Sequence, residues 1–433
     1  MWRLADHYAS RSPGREKAAA WRFLPVISVG CLLVFVLGLL AGCASSQPTI
    51  AGKTVITEMD YWPAEPNNTI VNKLFQQYEQ LHPNIVIQRD AVPFGSLLPK
   101  AYQEASSHTL PDLLLLDNPD LASFAAAGVM TQLDSYMQGE YRPSDFYSGP
   151  LSAMQYGGKT YGFSVGNNDL ALFYNKKLLA AAHLKPPTTW SELYTDAQKL
   201  THGNTYGFAF SAIATEESAW QFEPFLWTNG GDLTSLSSTQ SVEALQFLTS
   251  MVQHGYASQA VLNWGQGDVN NQFSVGHAAI MENGPWNITT LNQAGVDYGV
   301  VPIPVNLASQ QPVSPLGGEE WTIPASNTQT ESAVWDLVNW LEQPQQLLTL
   351  DEGIGYIPAL KGPAQILLKH RPDLKVFADE FQTARPRTAT VGPAYPAVSL
   401  TMQTAIQSAL TNGSSPQDAL NVAERHINSV MNS

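Results

Sequence analysis

The residue whose surroundings point most directly to chemistry is Cys43. It closes the run Leu40-Ala41-Gly42-Cys43 after the apolar stretch Phe23 to Ala41, and small residues before a cysteine leave the backbone open to a lipoprotein signal peptidase. In that setting the thiol carries a diacylglycerol and becomes the first residue of the mature chain. Arg11, Arg15, Lys17 and Arg22 supply the positive n-region of a signal peptide over residues 1–42. Residues 43–52 then read as a lipidated tether, because Ser45 to Gly52 is small, polar and turn-forming. The competing reading is an uncleaved anchor, since a run of about 18 apolar residues can span a bilayer. Both readings export the rest of the chain. Two or three acyl chains, at about 0.8 kcal/mol per buried methylene, make detachment from the outer face of the cell membrane slow.

Other chemistries are poorly served by the composition. Cys31 and Cys43 are the two cysteines, which leaves no thiol for a disulfide, a thiolate zinc site or a nucleophile. The nine histidines show neither HxH nor HExxH spacing, so no metal is expected, and His277 reads as a turn residue. No GxxxxGK[ST] loop occurs, so neither a bound nucleotide nor any other cofactor is expected. A net charge of −15 argues against binding nucleic acid or anionic lipid through charge. Nine of the 11 tryptophans lie beyond residue 42. An indole face complements the C–H face of a sugar ring, while Asp, Glu, Asn and Arg complement its hydroxyl rim. Hydrolysis of a glycoside would need two carboxyl groups about 5 to 10 Å apart. Glu319 and Glu320 are adjacent, and on a strand Glu319 shares a face with Trp321 while Glu320 takes the other. Glu216-Glu217 reads as a solvated turn or helix face, and Asp117 with Asp169 stays open as a pair.

The elements that must position these groups alternate between helix and strand. Val55 to Met59 predicts a strand, and Ile70, Val71, Leu74, Phe75, Tyr78 and Leu81 recur at helical spacing. His82-Pro83-Asn84 ends that helix and Ile85-Val86-Ile87 starts a second strand, a βαβ order that implies an open sheet covered by helices. Pro111 to Asp117 is a short apolar strand ending in a carboxylate. Ligands collect at the carboxyl ends of strands in such sheets, which puts Asp117 and Asn118 at a candidate site. The other reading makes Asp117 a cap before Pro119. Tyr156 to Gly162 predicts a hairpin, and Thr189-Trp190-Ser191-Glu192 and Ser415-Pro416-Gln417-Asp418 predict helix starts.

Taken in order, YGGKTYGF (Tyr156 to Phe163), ALFYNKKL (Ala171 to Leu178), PPTTWSEL (Pro186 to Leu193), Tyr206-Gly207-Phe208 and WTNGG (Trp227 to Gly231) resemble segments of one family. FSVGHAAIMENGPW (Phe273 to Trp286), YGVVPIP (Tyr298 to Pro304), LGGEEWTI (Leu316 to Ile323) and ARPR (Ala384 to Arg387) continue the same series. The family is the extracellular solute-binding proteins of carbohydrate ABC importers, with the maltose-, trehalose- and glycerol-phosphate-binding proteins. The resemblance implies an α/β, two-lobed periplasmic-binding-protein-like fold with hinge strands and an interlobe cleft. Lobe one would comprise 53–165 and 312–350, and lobe two 166–311 and 351–433.

The resemblance also implies site residues. Trp286, after Gly284-Pro285, matches a stacking tryptophan held at the cleft mouth. Asp169 matches an aspartate that hydrogen-bonds sugar hydroxyls, Asp117 matches the carboxylate after the Pro-Asp strand, and Gly317-Gly318 matches a glycine pair whose backbone approaches the ligand. Tyr61 and Trp62 replace the family's Phe-Trp-His, and Glu319 and Glu320 intervene before Trp321. Arg385 or Arg387 matches a sugar-binding arginine, with Arg385 preferred. The partners implied are a mono- or oligosaccharide, the permease of an ABC importer and the membrane through Cys43, with the chain a monomer and no enzyme. An exported glycoside hydrolase and a glycan receptor without transport are the alternatives.

Overall fold

The computed structural model describes residues 49–432 apart from 51 and 382. The signal segment and Cys43 lie outside the described residues.

A strand without polar alternation needs cover on both faces. Leu113–Asp117 is such a strand: Leu113 and Leu115 enter one core with Ile56, Phe75 and Phe163, while Leu114 and Leu116 enter another with Met59, Leu97 and Phe124. It is central in a seven-stranded sheet whose main path runs Ile85–Ala91, Lys53–Asp60, Leu113–Asp117, Pro315–Thr322, Gly162–Asn168. The first three strands are parallel and are joined by the helices Asn67–Leu81 and Phe94–Ser107, the βαβ order read from the sequence. Val71, Leu74, Phe75 and Tyr78 form the buried stripe of the first helix. Pro315–Thr322 returns late in the chain and inserts antiparallel, with Glu319 opposite Asp117 and Trp321 opposite Leu115.

The second sheet has four strands in the order Tyr298–Val301, Ala171–Asn175, Ala278–Asn283, Tyr206–Ala209. Leu172, Phe208 and Ile280 face a core shared with Glu216–Thr228, Tyr395–Leu410 and Pro416–Met431. Ala171, Phe173, Ala209 and Met281 face the other side. Two sheets with separate cores make the two-lobed α/β architecture.

Local chemistry sets the punctuation. Gly157 and Gly158 take φ of +57° and +74° between the strands Gln155–Tyr156 and Lys159–Thr160, as a two-residue hairpin requires. Thr189 and Glu192 form a reciprocal capping box at the start of Trp190–Leu200, and Ser415 caps Pro416–Met431.

The chain passes from one sheet to the other at Asn168 to Ala171, Val313 to Pro315 and Gly355 to Ile357. These passes are bonded to one another. The Leu170 amide donates to Ser314 Oγ at 3.0 Å, and that hydroxyl donates to the Leu170 carbonyl at 3.1 Å. Asn167 and Ile357 exchange backbone bonds of 2.7 and 2.9 Å, and the Arg385 amide donates to the Ser314 carbonyl at 2.9 Å. Among the described residues no helix is long and apolar enough to cross a membrane.

Candidate functional site

Asp117 ends its strand and Glu319 stands opposite it, so two carboxylates meet at the margin of the first sheet. Their hydrogen-bond surroundings differ. Glu319 Oε1 accepts the Tyr356 hydroxyl at 2.8 Å and the Tyr61 hydroxyl, while Oε2 has no protein partner. Burial pushes Glu319 up to about 8; the Tyr61 bond opposes the rise and Asp117 adds to it. Asp117 instead lies in the fork of Arg387, whose Nη1 reaches Oδ2 at 2.8 Å and whose Nη2 reaches Oδ1. Bidentate guanidinium–carboxylate pairing of this kind fixes the orientation of the carboxylate.

Arg387 is 3 % exposed and makes further contacts. Nη1 also donates to Glu216 Oε1 at 2.8 Å, and Nη2 to Asn118 Oδ1 at 3.0 Å. The guanidinium lies 4.1 Å from the Trp220 ring centroid. Glu216 additionally accepts the Tyr395 hydroxyl at 2.6 Å and the Ser399 hydroxyl. The arginine joined to Asp117 is Arg387, whereas Arg385 pairs with Asp232 and lies 4.8 Å from the Trp227 ring. One sequence-based expectation changes here. Glu216 and Glu217 do not sit on a solvated face, since Glu217 accepts the Ser211 hydroxyl and the Gln266 amide. The helix Glu216–Thr228 is buried along most of its length, which leaves it no polar face on which to display them.

The aromatic expectations divide. Trp321 is 1 % exposed and Trp62 4 %. Their rings meet edge to face at 6.2 Å, with Phe75 beyond Trp321 and Tyr356 beyond Trp62, so both are core residues here and neither offers an open face. Trp62 is fixed by its amide bond to Asp60 at 2.7 Å and by Arg89, which holds Asp60 and donates to the Trp62 carbonyl at 2.9 Å. Trp286 is partly exposed and follows the strand Ala278–Asn283 of the second sheet, yet it packs against the core of the first. Its ring folds over Gly284 so closely that a Cβ there would lie 1.9 Å from Cζ3. Gly355 lies against the Pro285 carbonyl, which sets the Gly-Pro-Trp turn beside one of the passes between the sheets.

The glycine pair makes room for close protein neighbours. A Cβ at Gly317 would stand 2.2 Å from Trp220 Cη2 and 2.1 Å from Asn168 Oδ1, so the space before it holds the indole that stacks on Arg387. Gly318, at φ +143°, would meet the Gly166 carbonyl at 2.5 Å. Asp169 is fully buried at a pass between the sheets, and neither oxygen has a protein partner. Burial and the nearby Glu380 push its carboxyl well above the usual carboxylate range. Asn118 joins the Asp117 group through Arg387 and donates to the Leu316 carbonyl at 3.4 Å. Asp117, Asn118 and Glu319 are thus brought together with Tyr61, while Asp169 and Arg385 stand apart from that group's hydrogen bonds. His277 lies in the bend between Ser274 and Ala278, bonded to Gln272. Among the described residues no three His, Cys, Asp or Glu side chains form a group that could hold a metal ion.

Glu216, Trp220, Tyr356 and Tyr395 escape sequence reasoning. A signal existed for the first two: the helix Glu216–Thr228 carries Trp220, Phe222, Phe225 and Trp227 around more than one face, and acidic residues opening a helix that is buried all round must find partners inside the protein.

Comparison with known proteins agrees with this architecture. The chain is 26 % identical to the maltotriose-binding protein of Pyrococcus abyssi, over 79 % of this chain and 75 % of that one. It is 23 % identical to a maltooligosaccharide ABC transporter solute-binding lipoprotein of Streptococcus pneumoniae, over 74 % and 77 % of the two chains. The maltose-bound MalE3 of T. maritima superposes with a TM-score of 0.80 at 23 % identity, covering 87 % of this chain and 99 % of that one, which establishes the shared fold. Residues 73–375 match the family described as bacterial extracellular solute-binding proteins. The chain belongs to that family.

Proposed function

We propose that the protein captures a carbohydrate outside the cell membrane, held there by lipid on Cys43, and passes it unaltered to the permease of an ABC importer. The lobes are taken to be the two sheets with their helices, 53–165 with 312–350 and 166–311 with 351–433, the passes falling a few residues beyond these limits. The observation that carries the reading is the turn Gly284-Pro285-Trp286: it is rooted in one lobe, its indole reaches the core of the other, and Glu319, Tyr61 and Asp117 stand on that second lobe. A sugar held between an indole and a hydroxyl-accepting rim touches both lobes at once, so it favours closure by its differential affinity for the closed form. The names of the Pyrococcus and Streptococcus relatives support an oligosaccharide, and the second supports the lipid anchor. Asp169, buried with both oxygens unpartnered, is a further ligand group if the passes part during opening.

Hydrolysis has one geometric argument in its favour, the cross-strand pair Asp117 and Glu319. Against it, Arg387 grips both oxygens of Asp117, which commits that carboxylate to an ion pair within the protein. The named relatives are binding proteins. The test is a thermal-shift screen against mono- and oligosaccharides. A ligand at about 100 times its dissociation constant adds about 2.7 kcal/mol to stability. A panel of maltose, maltotriose, galactose oligosaccharides and monosaccharides that shifts nothing would remove the proposal.

A further inference from the structure

Tyr61 lies in a bend between the strand Lys53–Asp60 and the helix Asn67–Leu81, outside both, yet its hydroxyl donates to Glu319. A strand or helix aims a side chain by fixing its backbone, and in this bend the fixing comes from Arg89. The Trp62 amide donates to Asp60 Oδ1 at 2.7 Å, and Arg89 Nη2 donates to the Trp62 carbonyl at 2.9 Å. Nη2 also donates to Asp60 Oδ1 at 2.9 Å, and Nε donates to Asp60 Oδ2. The residues on either side of Tyr61 are thus tied to one guanidinium. Nη1 donates to Asn68 Oδ1 at 2.7 Å and to Asn72 Oδ1 at 3.0 Å, on the helix into which the bend leads.

These bonds use all five N–H groups of Arg89, whose side chain is 7 % exposed, and leave none for a ligand. Glu58 and Asp60 share one face of their strand, and Arg89 stands opposite Glu58 on the parallel neighbour. Glu58 has no hydrogen-bond partner, so Asp60 is the acid that Arg89 grips. A lysine would keep the charge but could not serve Asp60, Trp62 and two asparagines from one planar fork. We propose that Arg89 is a positioning residue: by clamping Asp60 and Trp62 it holds the Tyr61 hydroxyl on Glu319, without a hydrogen bond to either. The inference rests on the proposed carbohydrate capture for its purpose, while the hold on Tyr61 is a property of the fold and can be read without sugar.

The test is a double-mutant cycle by urea unfolding of the full chain. Tyr61→Phe removes the hydroxyl alone and should lower the folding constant at least about fivefold in the wild-type background. In Arg89→Lys the same change should lower it less than about twofold, because the hydroxyl is no longer held in place. Asp60→Asn, which keeps the shape and weakens the grip, should shrink the effect in the same way and serves if Arg89→Lys does not fold. Tyr141→Phe removes a hydroxyl that bonds Asn339 at 2.7 Å elsewhere in the same lobe, and its effect should be equal in every background. A Tyr61→Phe effect that is also equal in every background would make Arg89 merely structural and overturn the proposal. Maltotriose binding is then followed by calorimetry. Tyr61→Phe and Arg89→Lys should each weaken it at least about fivefold, and the double variant should be no weaker than Tyr61→Phe alone. Coupling in urea with no maltotriose binding by the wild type supports the hold on Tyr61 and counts against the sugar reading. Maltotriose binding that Arg89→Lys leaves unchanged overturns the positioning role and leaves capture standing.

Discussion

Replacing Glu319 by Gln isolates one buried carboxyl and one physical cause. Glu319 is enclosed by Tyr61, Tyr356 and Asp117, and burial lifts it from an ordinary 4.5 to about 8. Below about pH 4.5 the carboxyl is protonated in both the folded and the unfolded chain, so it imposes no pH dependence. As pH rises the unfolded chain ionises first, and stability is lost progressively until the folded form ionises as well, near pH 8. Carried through linkage, that rise amounts to about 5 kcal/mol as a ceiling. Glutamine has the same shape, keeps an acceptor for the two tyrosine hydroxyls and cannot ionise. Urea unfolding between pH 4.5 and 9 should therefore find Glu319→Gln within about 1 kcal/mol of wild type at the acid end. The variant should then be progressively more stable, by up to about 5 kcal/mol, at the alkaline end. Glu342 is also buried and pushed up by burial, but it is common to both chains. Glu320 and Asp351, pushed up by burial and in part by Glu319 itself, are relieved when its charge is removed, which adds to the gain in the same direction. Parallel stability curves for the two proteins would refute the reasoning, because they would mean that Glu319 is ionised in the fold throughout.

The geometry sets further outcomes. Trp321→Ala should cost about 3 to 5 kcal/mol of unliganded stability because it empties a sealed core position. Trp286→Ala should cost less unliganded stability than Trp321→Ala, because its ring is only partly buried, and should abolish the shift produced by whichever sugar binds; differential scanning fluorimetry reads both. Gly317→Ala forces a methyl against Trp220 and Asn168, so it should destabilise by about 1 to 3 kcal/mol in urea titrations and disturb the indole stacked on Arg387. The wild-type chain should incorporate radioactive palmitate in cells and Cys43→Ser should not, and a wild type that takes up no label would favour an uncleaved anchor.

Much of the scaffold is legible because it obeys short-range rules. The stripe in Asn67–Leu81, the break at His82-Pro83-Asn84, the Gly157-Gly158 turn and the Thr189 capping box each depend on residues within a few positions of one another. The same kind of argument places Asp117 at a strand end. What the sequence withholds depends on contacts hundreds of residues apart. Trp321 and Glu319 differ by two positions on the same face of one strand, yet one lies deep in a core and the other at its margin with two tyrosines. Strand alternation alone cannot say how far the core extends along that face. Arg385 and Arg387 likewise share a motif and a charge. Only the path of the chain past Ser314 decides that the first meets Asp232 and the second meets Asp117. Glu216 misleads because paired acids at a helix start are usually solvated, and its partners, Arg387, Tyr395 and Ser399, come from the last 50 residues.

Ser314 has a mechanical meaning. One hydroxyl, bonded both ways to Leu170, rivets two connecting segments whose positions in the chain are far apart, and the adjoining carbonyl adds a third through Arg385. Laminated in this manner, the segments resist sliding past one another and can flex only together, as leaves of a single spring. The axis of any bending is thereby set by one buried side chain, and exchanging it for alanine would unglue the leaves and let the two bodies wobble.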